Sequence, residues 1–468
     1  MPTFIVPKAA AAGGGVAVPA GFEVVDFSQV GSGIIVRSEP NYATQGGAPL
    51  ATWGDAVTTA IGTGFNDVLL GDADGQKLYG GGGHDRLQDG GAGAAASSLW
   101  GDAGNDRLFL AADGSRGDGG TGNDSFYITD ASGARAFGGI GTDRFYVRDV
   151  DHLTVYGGKY GDALSVNGGE VLRVNLGEGN DRAALRDVDD AIVSGGNGHD
   201  TINVYGGSAI RLSGSYGNDR VGVVDSDGAR VSTGEGNDKV FFRDADNVVV
   251  NAGNGNDIVN MGEATHGHVL VGGAGIDTVT YWDVDASTSD NVIIDLELGV
   301  IRADGVDVAA ISGFERAYSE AGDDKLVGSA DNNVLSAGAG ADRIFGGEGN
   351  DIVYGGDGAD FVVGGHGRDV IDGGAGDDYF KAGLDGDRFV FKTLHAGETD
   401  TISILGRLDT LDFRGSVSDL ADLTITINAD KSASITAEVD GGVHTLILER
   451  LLSVDTLTTE LAQHVLVG

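Results

Sequence analysis

A carboxylate recurs along this chain behind a glycine-rich loop, at a fixed beat. Asp85, Asp106, Asp124, Asp143, Asp162, Asp181, Asp200, Asp219, Asp238, Asp257 and Asp277 form one row, and every interval from Asp124 to Asp257 is 19 residues. Asp342, Asp351, Asp360, Asp369 and Asp378 form a second row, nine residues apart. Glycines stand four and two positions before many of them: Gly139 and Gly141, Gly177 and Gly179, Gly196 and Gly198, Gly234 and Gly236, and Gly253 and Gly255 in the first row. The second row has Gly338 and Gly340, Gly347 and Gly349, Gly356 and Gly358, and Gly365 and Gly367. Glycine permits positive φ, so such a turn can aim several carbonyls inward beside the carboxylate. That donor set is all hard oxygen, which suits a hard divalent cation. Calcium takes six to eight oxygens, and two stacked turns can supply about six. These aspartates and glycines are therefore the candidate metal-site residues.

Stacked turns need stacked strands to carry them. Two and four positions after the aspartates stand apolar residues, such as Phe126 and Ile128, Phe145 and Val147, Leu164 and Val166, and Ile202 and Val204. Alternate apolar positions mark a strand with one face turned inward. A second strand precedes each loop, as in Leu153 and Val155 or Ile210 and Leu212. Each 19-residue coil then reads strand, turn, strand, glycine loop, and a fixed period of this size indicates a solenoid. The fold class expected is all-β, a parallel β-roll or β-solenoid.

Composition agrees. Glycine supplies 83 of 468 residues, and all five prolines lie within the first 49. A proline-free repeat suits strands whose every N–H is needed. The net charge of −41 opposes nucleic acid as a partner, since phosphate binding needs clustered Lys and Arg. Bound cations would relieve the self-repulsion. With no cysteine, disulfides and thiolate sites are excluded. No apolar run is long enough to span a membrane.

The expected organisation is an N-terminal cap or assembly arm at 1–60 and a calcium-binding solenoid of 19-residue coils at 61–277. A non-repeat β insertion follows at 278–321, then a nine-residue repeat at 322–388 and a C-terminal β cap at 389–468. In the nine-residue section alternate loops share an edge, pairing Asp342 with Asp360 and Asp351 with Asp369.

The segment "GGEGNDIVY" fits the pattern G-G-x-G-x-D-x-U-x. On this and its many copies the chain resembles the RTX, or haemolysin-type calcium-binding, proteins. The resemblance implies a calcium ion between equivalent turns of neighbouring coils, about fifteen in all, or roughly +30 of charge. It also implies export by a type I secretion system, read from an uncleaved C-terminal region that 389–468 would supply. The start, "MPTFIVPKAAAAGGG", lacks the basic and long apolar regions of a cleaved secretory signal. The bland alternative is a metal-free glycine solenoid. Departures in "GGKYGD" (Tyr160), in "GSYGND" (Ser215) and at Asn333 are expected to weaken binding locally.

Other features carry less. The Asp-x-Asp pairs in "RDVD", "VDSD" and "RDAD" are read as side-chain-bonded turns rather than further calcium sites. Arg107, Arg144, Arg182, Arg220 and Lys239 follow loop aspartates, and Arg135, Arg173, Arg211 and Arg230 lie on the opposite sheet. The first of these rows is expected to point outward. A solvated face is the preferred reading for them, a grip on anionic polysaccharide or a protein the other. His266 and His268 are expected at the surface. No H-E-x-x-H or G-x-S-x-G motif occurs, so no enzyme is expected. The functional expectation is a secreted, extracellular or cell-surface structural protein: an S-layer subunit, filament or adhesin that folds on calcium. It would self-associate or bind cell-surface polysaccharide. A polysaccharide lyase or epimerase, or a calcium-dependent carbohydrate-binding module, is the alternative.

Overall fold

The computed structural model describes most of residues 57–282 and 291–450, apart from 73–74, 263–265, 407, 429–431 and 440–441. It also describes short stretches between 3 and 52, and residues 465–467. Much of the expected N-terminal arm and the apolar C-terminal end at 451–464 lie outside the described residues. Contacts divide the chain into two compact units, Met1–Asp238 and Lys239–Gly468. Among the described residues there is no α-helix; strands and turns make up nearly everything.

In the first unit the chain alternates between two parallel sheets. Arg135–Ile140, Thr154–Lys159 and Glu170–Glu178 belong to one, Arg144–Arg148, Ala163–Asn167 and Arg182–Arg186 to the other. Each strand pairs with its equivalent one coil on, so Arg144, Ala163, Arg182, Thr201 and Arg220 lie side by side. The register step is the 19-residue sequence period itself. Strands Thr3–Ile5, Val24–Asp26 and Thr59–Ile61 pair in parallel as well. The inward positions fill a narrow core. Phe126, Phe145, Leu164 and Leu185 from one sheet and Val155, Val174 and Leu212 from the other are all buried. Phe126 and Phe145 stack at 4.7 Å between centroids.

In the second unit the strand Val292–Asp295 runs antiparallel to Val300–Ala303, which runs antiparallel to Val306–Ser312. This meander sits within parallel pairing, because His268–Ala274 pairs with Val306–Ser312 and Val292–Asp295 with Lys325–Val327. Beyond it the register step becomes 18 residues: Val334 lies beside Ile352 and then Val370, while Arg343 lies beside Phe361. Two nine-residue repeats thus complete one coil, each giving one strand and one loop. A second antiparallel set, Leu423–Ile427, Ala433–Val439 and Gly442–Leu448, follows the last parallel coils.

The reading of both "HGH" histidines as surface residues is corrected. His266 is exposed, but His268 is buried, 4.9 Å from the Phe242 ring, and its Nδ1 accepts the Val248 N–H at 3.1 Å. Its strand position points inward, which a short motif could not reveal.

Candidate metal sites

The loop aspartates are buried, although carboxylates normally face water. Their burial follows from register. Each coil's loop lies directly over the next, and the backbone N–H of each aspartate donates to Oδ1 of the aspartate one coil on. In the first unit this runs unbroken from Asp67 to Asp238 at 2.6–2.8 Å. In the second unit Asp342 donates to Asp360 and Asp360 to Asp378; separately, Asp351 donates to Asp369 and Asp369 to Asp387. Alternate nine-residue loops therefore occupy two edges. Asp277 donates to Glu315 Oε2 where the meander interrupts the series.

Oδ1 is satisfied; Oδ2 is not. In Asp85, Asp106, Asp124, Asp143, Asp162, Asp181, Asp200, Asp219, Asp277, Asp342, Asp351, Asp360, Asp369 and Asp378, Oδ2 is buried without a hydrogen-bond partner. A buried unsatisfied carboxylate oxygen costs several kcal/mol in a protein interior. What it faces is informative. A Cβ on Gly138 would collide at once with Asp143 Oδ2 and the Gly157 carbonyl of the next coil. The same pair of oxygens crowds Gly119 (Asp124 and Gly138), Gly355 (Asp360 and Gly373) and Gly346 (Asp351 and Gly364). Acceptor faces acceptor, with no proton between them. A cation between the two oxygens would resolve that arrangement, as would a proton donor.

Every candidate glycine from Gly139 to Gly367 adopts positive φ. At Gly234, with φ of 106°, an added Cβ would strike the Ser215 carbonyl of the preceding coil, so close stacking demands glycine as much as the dihedral does. Tyr160 and Ser215 hold φ of 71° and 90° in glycine positions, a conformation that costs a non-glycine residue about 1–2 kcal/mol.

The electrostatics agree. Burial above all, with the neighbouring carboxylates of Asp124, Asp85 and Asp102, pushes Asp106 up to about 8. Burial followed by the Asp124 charge pushes Asp143 to about 7, and burial followed by Asp400, Asp360 and Glu398 pushes Asp378 to about 8. Near neutral pH, ionising such a row opposes the metal-free fold. Among the described residues no three acidic or histidine side chains converge on one point, so an ion's other ligands fall to backbone carbonyls. Carboxylate plus carbonyl oxygen is a calcium donor set, not that of a soft or thiolate-bound metal.

Two loops show what a satisfied site looks like. Asp67 Oδ2 accepts from Thr63 N at 2.6 Å and from Thr63 Oγ1, and its Oδ1 accepts from Ile34 N. Asn333 Oδ1 accepts from Ser329 N, and its Nδ2 donates to the Glu315 carbonyl at 3.1 Å. At Thr63 and Ser329 the residue four places before the loop acid or amide supplies the protons, whereas Ser215 in the same place bonds Ser213 and leaves Asp219 Oδ2 without a partner.

A second ladder runs the other way. Where the residue just before an aspartate is Asn or His, its side chain accepts from its equivalent one coil later: Asn123 accepts from Thr142 N, His199 from Asn218 N, Asn218 from Asn237 N. Sequence reasoning passed over these residues, although the repeated "ND" pair carried the signal. The Asp-x-Asp turns on the far edge likewise bond between coils, with Asp151 accepting from Glu170 N and Asp189 from Ser208 N.

The RTX calcium-binding nonapeptide repeat (4 copies) family matches the chain at residues 54–87, 79–115, 318–353 and 354–389. These segments lie on either side of the regular 19-residue coils. No curated protein matches the chain.

Proposed function

Taking the chain as an RTX-type repeat protein with a parallel β-solenoid fold, we propose that its loop aspartates and loop carbonyls hold a series of calcium ions and that the ions control folding. The observation that carries this is the buried Oδ2 row facing next-coil carbonyls, as at Asp143 and Gly157. Calcium, when bound, supplies positive charge between two oxygen rows that otherwise repel. The residues do the rest: glycines bring the loops together, aspartate Oδ1 fixes the register through the next N–H, and Oδ2 remains for the ion.

Cations that bind only the folded array stabilise it by mass action. At dissociation constants of about 10⁻⁴–10⁻³ M, characteristic of extracellular modules, the loops stay empty in cytosol and fill outside the cell. The chain is thereby suited to leave unfolded, through a type I exporter that reads its C-terminal region, and to fold on arrival. There it acts as a structural element of the surface or matrix, as an S-layer subunit, filament or adhesin. Two observations support a non-enzymatic role: the repeat occupies most of the chain, and among the described residues acidic side chains lie in coil-to-coil ladders rather than in a catalytic cluster. Among the described residues no helix is long and apolar enough to cross a membrane.

The test is a calcium titration of full-length protein followed by far-ultraviolet circular dichroism and, in parallel, electron microscopy. A cooperative gain of β signal with calcium, and ordered sheets or fibres, are the expected outcomes. A β signal unchanged by excess chelator would overturn the folding role, and persistent monomers the structural one.

A further inference from the structure

In a chain of net charge −41, one face carries no acid at all. The eight strands Arg86–Gln88, Arg107–Leu110, Ser125–Thr129, Arg144–Arg148, Ala163–Asn167, Arg182–Arg186, Thr201–Tyr205 and Arg220–Val224 follow one another in the same sheet of the first unit. Together they contain seven arginines and neither aspartate nor glutamate. The acids of these coils sit in the loops and on the opposite sheet instead, as with Asp118. Four arginines share one register column, Arg107, Arg144, Arg182 and Arg220, with Ser125, Ala163 and Thr201 between them. All four point to solvent and form no ion pair among the described residues. Unneutralised guanidinium groups thus recur every second coil, about 9.6 Å apart.

The adjacent outward column is aromatic and stops abruptly. Phe109, Tyr127 and Tyr146 stack at 4.8 and 5.2 Å, and the next places are Ser165, Ala184 and Asn203. The drop from tyrosine to serine and alanine leaves a depression of about 300 Å³, walled by Tyr146, flanked by Arg144 and Arg182, and closed by Thr201 and Asn203. One ring face of Tyr146 looks into it, and Tyr146 is 45% exposed.

We infer that this face binds an acidic polysaccharide, with one uronate ring stacked on Tyr146 and its carboxylates held by Arg144 and Arg182. The chemistry matches at each point. Guanidinium binds carboxylate in a planar fork. A sugar's C–H face packs on a tyrosine ring, and Ser165, Thr201 and Asn203 offer hydrogen bonds to hydroxyls. The interval between arginines is comparable with two extended pyranose residues. Single-stranded nucleic acid fits less well, because it needs several free ring faces and here the rings already stack on one another. Its denser charge is also repelled more strongly by the acidic edges.

The experiment is calorimetric titration of full-length, calcium-saturated protein with an oligouronate, and with the same oligosaccharide after carboxyl reduction. The oligouronate binds and the reduced form does not. Arg144→Ser with Arg182→Ser weakens binding at least tenfold, whereas Arg211→Ser with Arg230→Ser on the other sheet changes it less than twofold. Tyr146→Ser weakens binding several-fold while leaving its salt dependence intact, and Arg144→Lys with Arg182→Lys gives a readout that keeps the charge. Absence of binding by protein shown to be folded, or equal losses for both arginine pairs, overturns the inference. So does tighter binding of oligothymidylate, which reassigns the face to nucleic acid, or of phosphatidylserine vesicles, which reassigns it to a lipid surface.

Discussion

Replacing Asp143 by asparagine separates the two tasks of the loop carboxylate. The side chain has one satisfied oxygen, Oδ1, held by Asp124 N at 2.7 Å, and one orphan, Oδ2, beside the Gly157 carbonyl. Asparagine keeps the first interaction and places an NH₂ where the orphan was, opposite a carbonyl. Asn333 is turned the other way, with Oδ1 beside the Gly346 carbonyl and Nδ2 donating to Glu315 of the preceding coil, so Asp143→Asn tests an orientation that Asn333 does not show. The variant loses a negative ligand but gains a donor in the metal-free state, so the sign of its effect depends on calcium. One ion at 10–100 times its dissociation constant contributes about 1.4–2.7 kcal/mol. For a cooperative unit of 150–250 residues that is a fall in Tm of about 3–11 °C in saturating calcium. In chelator the residual β signal should equal or exceed that of the parent, because burial and the Asp124 charge push the Asp143 carboxyl up to about 7 and asparagine removes that cost. Differential scanning calorimetry in calcium, circular dichroism in chelator and a count of bound calcium by equilibrium dialysis read the three effects, with at least one ion fewer expected. An unchanged ion count, or an equal loss of structure in calcium and in chelator, would show that the carboxylate is a structural bond and not a ligand.

Tyr160→Gly relieves a left-handed residue that is 64% exposed, and a net gain of roughly 0.5–1 kcal/mol is expected after glycine's entropy is counted. Thermal denaturation in calcium should rise accordingly, and a fall would show that the ring packs. Gly234→Ala combines positive φ with a collision against the Ser215 carbonyl, whereas Gly228→Ala has positive φ and open space. Both lose about 1–2 kcal/mol from the dihedral, and only Gly234→Ala loses more, a difference that urea denaturation would measure. His444 lies 3.2 Å from Asp400. Burial alone would lower its pKa, but the Asp400 carboxylate, the His395 carbonyl and the Glu398 charge hold it above the ordinary value. Its stabilising contribution is therefore full below the unfolded value of about 6.5 and lost as pH rises through the folded one. The Tm gap between parent and His444→Gln should shrink as pH rises in saturating calcium, and a constant gap would refute the pairing.

The solenoid was legible because its period, its inward residues and its glycine loops are all properties of a single coil repeated. Phe126, Phe145 and Leu164 could be placed inside from alternation alone, and the stacking of Asp342 on Asp360 from counting loops. Interactions between coils were harder to read. Nothing in "GTGFND" alone says that Thr63 satisfies Asp67, since hydroxyl residues at loops are ordinary. The counter-running ladder through Asn123, His199 and Asn218 needs the register before its partners can be named. His268 was misplaced because a two-residue spacing of histidines does not say which of them faces inward. The antiparallel meander at 292–312 shares its residue types with the parallel strands around it, so only pairing distinguishes the two.

The carboxylate ladder has a direction, and direction gives the array unlike ends. Each coil presents an acceptor toward the N-terminal side and an N–H toward the C-terminal side. In the structure these ends are closed by groups from outside the repeat: Ile34 N covers Asp67 Oδ1, while Asp400 and Asp409 receive the N–H groups of Asp378 and Asp387. A roll cut between coils would expose a row of acceptors on one piece and the matching donors on the other. Surfaces that complement each other head to tail make a heterologous contact, which does not close and so grows without limit. The irregular residues thus close each ladder at its own end, much as chain stoppers end a growing polymer.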